Sequence, residues 1–75
     1  MTKDQIERSI LLKKEELVEV NKCLEAAYSK QAKASEAGDG PAYASCNGVI
    51  SDYTNKTFYL KEDIDKLQMM LDSFA

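Results

Sequence analysis

One pattern constrains this chain more than any other. From Tyr43 onward, apolar or small side chains recur in alternating steps of three and four: Tyr43, Cys46, Ile50, Tyr53, Thr57, Leu60, Ile64, Leu67, Leu71 and Phe74. That spacing is the buried stripe of an α-helix. Local composition argues the other way, since Val49, Ile50, Tyr53, Thr54, Thr57, Phe58 and Tyr59 all favour strands and Asn55 is available for a turn. Strict alternation, however, yields no apolar face: one side of such a strand would carry Ile50, Asp52 and Thr54, the other Val49, Ser51 and Tyr53. The period also runs unbroken into the plainly helical "LKEDIDKLQMML". The sequence therefore predicts a helix over about 41–74, weakest between Gly48 and Thr57, where glycine and β-branched residues lower helix propensity. A kink or a short hairpin at 49–60 is the alternative.

The first half has the same period. Ile6, Ile10, Leu17, Val20, Leu24, Ala27 and Ala34 form a seam interrupted only by Lys13 and Gln31. Thr2 and Gln5 have the spacing of a capping box, which starts this helix near residue 3. "AGDGP", residues 37–41, ends it: Gly38 suits the left-handed conformation after a helix, and Pro41 suits the first turn of the next. The expected architecture is all-α: helix 1 over about 3–36, a turn at 37–40 and helix 2 over about 41–74, one helical-hairpin domain spanning 1–75. A short connection makes the helices antiparallel, as in a coiled coil.

With the turn centred between Gly38 and Asp39, Leu24 lies level with Tyr53, Leu17 with Leu60, Ile10 with Leu67 and Ile6 with Leu71. The seam is made of small residues near the turn and of larger aliphatics toward the termini. Tyr43 and Tyr53 are expected in the core with their hydroxyls at its edge. Lys13 must lay its methylenes along the seam and carry its charge outward. Together with Gln31 it is a candidate for setting register, as polar seam residues do in coiled coils.

At 100° per residue, Leu11 and Val18 fall away from the seam on helix 1, and Phe58 and Met69 do so on helix 2. Outward apolar residues at similar heights suggest a second buried surface. A short chain buries a small fraction of its surface alone, so a second copy or a partner protein is expected to cover it. The expected assembly is a homo-oligomer, a dimer first, forming a helical bundle.

Composition closes off other chemistries. The chain has no histidine, the commonest general base and metal ligand, and any cysteine nucleophile lacks its usual activator. The carboxylates at Glu15, Glu16 and Glu19, and at Glu62, Asp63 and Asp65, read as solvated helix faces, because they lack the loop geometry of calcium sites. "AGDGP" has no lysine after its glycines and no strand before them, so it is a connector and not a phosphate loop. No cofactor, metal or catalytic residue is expected. Cys23 and Cys46 are offset by about eight residues, ~12 Å along the axis, too far for a bond within one hairpin. The sequon Asn55–Thr57 places Thr57 on the seam, where glycosylation is not expected.

The net charge of −3 argues against nucleic acid, which draws on an excess of cations. The alternative of RNA or DNA binding rests on Arg8, Lys22, Lys30 and Lys33, with Glu15 and Glu19 among them to weaken the field. No apolar run is long enough for a bilayer. Met1–Ser9 is polar and mixed in charge, so no secretory signal is expected and the expected location is cytoplasmic. The functional expectation is a small non-enzymatic interaction module, an inhibitor, adaptor or assembly factor working through helix packing.

Overall fold

The structure, a computed structural model, describes residues 1–74. Two helices, α1 (Lys3–Ala37) and α2 (Gly40–Asp72), pack side by side as an antiparallel hairpin, with no strand among the described residues. The doubtful stretch around Gly48–Thr57 is continuous helix. The seam period wins over local propensity because each seam residue gains a neighbour across the hairpin only if the helix does not break.

Each end of α1 has a local cause. Thr2 Oγ1 accepts from the Gln5 N–H at 3.2 Å while Gln5 Oε1 accepts from the Thr2 N–H at 2.9 Å, completing the predicted capping box. At the other end Gly38 adopts φ 69°, and the Gly38 and Asp39 N–H groups donate back to the Ser35 and Ala34 carbonyls. This left-handed closure satisfies carbonyls that the helix itself cannot. Asp39 then caps α2, its Oδ1 accepting from the Ala42 N–H at 3.2 Å, with Pro41 in the first turn. The reversal thus takes only Gly38 and Asp39. Helix α2 stops at Asp72, two residues short of the expected end, where the Ser73 hydroxyl donates to the Met70 carbonyl at 2.6 Å.

The core is a single row. Ile6, Ile10, Val20, Ala27, Ala34 and Leu60 are buried, while Leu17, Leu24, Ile50, Tyr53, Thr57, Ile64, Leu67 and Leu71 are half-buried. Two seam assignments are corrected. Tyr43 is 42% exposed, with Ala42 turned inward in its place, and Phe74 is exposed beyond the helix end. A strict heptad drifts about 20° per repeat on a straight α-helix. Two repeats from the middle of α2, that drift turns position 42 in and 43 out.

Polar pairs across the seam report its register. Lys13 Nζ meets Asp63 Oδ2 at 3.4 Å, the Gln31 amide donates to Asn47 Oδ1, and Glu16 reaches Lys56 at 3.4 Å. The first two partners lie within one residue of the level expected from the turn.

Candidate interaction surfaces

The hairpin has two flanks, one on each side of the seam, and the seam period assigns residues to them. On the first flank stand Leu11 and Val18 from α1 and Phe58 from α2, 57%, 53% and 64% exposed. Tyr28 joins them nearer the turn. Helical phase places Met69, 72% exposed, on the outermost line of α2 and not on this flank. So three of the four predicted contact residues share a side and Met69 stands apart. Next to the seam this flank is polar: Lys14, Asn21, Asn47, Thr54, Lys61 and Gln68 are all exposed.

Both polar seam residues find partners from the opposite helix. Lys13 is half-buried, its aliphatic stem on the seam and its ammonium at Asp63. That pair is open to solvent on both sides and stabilises by at most about 1 kcal/mol. Gln31 is likewise half-buried and bonded to Asn47. Hydrogen bonding of this kind is directional, so a shifted register would leave these groups unpaired.

The second flank was not singled out from sequence. It carries Leu12, Val49, Tyr59 and Met70, all exposed. The 100° count that picks out Leu11 and Val18 also places Leu12 and Tyr59 off the seam, on the other side. Toward the turn this flank hollows into an open groove of about 860 Å³, bordered by Cys23, Ala26, Ala42, Cys46, Val49 and Tyr53. Small side chains leave that space: Ala27 and Ala34 form its floor where bulky residues fill the seam farther up.

Both cysteines are free thiols at this groove, Cys23 exposed and Cys46 half-buried. The Tyr53 hydroxyl faces Cys23; hydrogen bonding to that sulfur, repulsion from its charged form and desolvation raise the phenol above its ordinary pKa, and Lys56 opposes them.

The four cations of the nucleic-acid alternative are not gathered. Lys30 and Lys33 border the groove, whereas helical phase puts Arg8 and Lys22 on the outer line of α1, and Lys22 is paired with Glu19 at 3.4 Å. Among the described residues no group of three or more His, Cys, Asp or Glu is arranged to hold a metal ion, and no helix is long and apolar enough to cross a membrane. No family model matches the chain, and comparison with curated proteins and with solved structures yields no significant match.

Proposed function

We propose that this chain is a small non-enzymatic, cytoplasmic interaction module that self-associates and acts by laying its helices on a partner protein, as an inhibitor, adaptor or assembly factor does. The observation that carries the reading is the outward bulk of Leu11, Val18 and Phe58, each more than half exposed on one flank of a hairpin whose own core is a single row. Apolar side chains of that size on one side of so thin a molecule fit a desolvated contact. Met69 extends the contact around α2. Lys13 and Gln31, by their cross-helix bonds, hold the register that sets these residues at matching heights.

Affinity capture from the native host tests the partner, using wild type and Phe58→Asp. Position 58 is an exposed helical site, so the substitution changes stability by no more than about 0.5 kcal/mol. The expected result is a specific protein retained by wild type and lost with Phe58→Asp. Equal retention by both would remove Phe58 from the contact, and no specific protein on wild type would remove the partner. Light scattering tests self-association, with a mass above that of the monomer expected.

A further inference from the structure

We propose that Asn47 is a site of spontaneous deamidation, gated by opening of α2 around Gly48, and that its β-linked product breaks α2 there. The inference goes beyond the interaction reading and does not depend on it.

The dipeptide supplies the chemistry. Of the asparagines, Asn21 and Asn55 are followed by lysine and Asn47 by Gly48. In the reaction the Gly48 nitrogen attacks Cγ of Asn47 and closes a succinimide ring. The Cγ–Nδ2 bond breaks, and ammonia leaves with the proton of the Gly48 N–H. Water then opens the ring. Attack at Cγ gives aspartate in an ordinary chain, whereas attack at the main-chain carbonyl of residue 47 leaves the chain running through Cβ and Cγ, as isoaspartate. A side chain on the following residue hinders the ring closure, and glycine has none. Both residues are exposed, and a Cβ built on Gly48 meets nothing within 4 Å.

The helix is the gate. A helical ψ of about −42° turns the Gly48 nitrogen away from Cγ, and its N–H donates one turn back. Reaction therefore needs the segment to open. Helix α2 is weakly held here: no residue from Gly40 to Tyr59 is buried, and Gly48, Val49, Ser51 and Asn55 have lower helix propensity than alanine. Few buried contacts mark a segment that opens more readily than the whole molecule unfolds.

The two products differ in what they do to the hairpin. Asn47 Oδ1 accepts from the Gln31 amide across the seam. Aspartate at 47 keeps that acceptor and the helix. Isoaspartate makes Cγ part of the chain, which removes the side-chain acceptor, lengthens the main chain by a carbon and takes the carbonyl of residue 47 out of the helical ladder. A cross-seam bond and the continuity of α2 are lost together. Asp39 and Gly40 at the turn can close the same ring, but a carboxylate is a poor electrophile and Asp39 Oδ1 is held by the Ala42 N–H at 3.2 Å. Isomerisation there changes no mass, so the two sites are told apart.

Ageing the purified full chain at neutral pH, followed by peptide mapping with mass spectrometry, tests the site. The expected result is the amide-to-acid mass gain at Asn47, with Asn21 and Asn55 unchanged. A synthetic peptide of residues 43–52 gives the ungated rate, and conversion in the full chain should be slower by between about tenfold and a hundredfold. Gly48→Ala should slow it by more than the roughly two- to fivefold that its gain in helix stability supplies. Separated by chromatography, the isoaspartyl form is expected to lose helical content and to melt below both wild type and Asn47→Asp. Asn47 intact after about a hundred peptide half-lives would overturn the site, and conversion as fast as in the peptide would overturn the gate. A Gly48→Ala rate lowered only by the stability factor would remove Gly48 from the attack. An isoaspartyl form that melts with the wild type would overturn the break in α2.

Discussion

The turn half and the terminal half of this hairpin follow one seam period and differ in what fills it. Between Ile6 and Val20, and between Leu60 and Leu71, the seam is built of Ile, Leu and Val with Lys13 as its one interruption; between Leu24 and Gly48 it is built largely of alanine, cysteine and glutamine. The terminal half therefore contributes most of the apolar burial, at about 25 cal/mol per Å². The turn half contributes reversal chemistry and an open groove instead. In a molecule with one row of core, the residues that stabilise and the residues that shape a surface are thus separated along the axis.

The sharpest way to break this contrast is to cut a side chain from each half. Leu60→Ala truncates the one buried residue of α2 and is expected to cost about 2–4 kcal/mol. For a domain of this size each kcal/mol lowers the melting temperature by about 4–8 °C. Ala27→Gly, in the turn half, should cost only about 1 kcal/mol, most of it helix propensity. Thermal unfolding followed by circular dichroism reads both. Equal losses would mean that the alanine seam carries as much of the stability as the aliphatic one.

At the boundary between the halves sits Thr57, whose Oγ1 is the one buried side-chain polar atom among the described residues without a hydrogen-bond partner. Desolvating a hydroxyl without compensation is unfavourable, so Thr57→Val, which keeps the shape, should stabilise by about 1 kcal/mol. Urea unfolding with an unchanged slope would locate the gain in the folded state. A loss of stability would mean that in solution the hydroxyl is bonded, to water or to the carbonyl one turn earlier.

How much of this was legible beforehand follows from what each feature depends on. The caps at Thr2 and Asp39 and the turn at Gly38 depend on a few adjacent residues. They could be approached from composition alone, and Thr2, Gln5, Gly38 and Pro41 were. The long helix through Gly48–Thr57 depends on period, which is visible once Leu60 to Leu71 extend it. Tyr43 departs from the heptad count because a real helix drifts from it toward the ends of α2, and Phe74 because α2 ends at Asp72, two residues before it. The groove is legible only in its cause, the small seam residues near the turn. Its volume over Ala27 and Ala34 depends on how the two helices pack in three dimensions, which no spacing rule gives. Leu12 and Tyr59 lie within reach of the same angular count as Leu11 and Val18, on the other side of the seam.

The smallest expected effect sharpens the question of why α2 is continuous. Gly48 lies in its weak middle with ordinary helical φ, exposed, and a Cβ built there meets nothing within 4 Å. Glycine in a helix interior is about 0.5–1 kcal/mol less favourable than alanine, because more backbone freedom is lost on folding. Gly48→Ala should therefore stabilise by about that amount without touching the groove, whose border does not include position 48. Amide exchange between residues 46 and 52 should slow in proportion if the segment opens locally in the wild type. If instead exchange slows by the same factor along both helices, the segment already opens only with the whole hairpin, and the turn half is weaker in burial but no less cooperative than the terminal half.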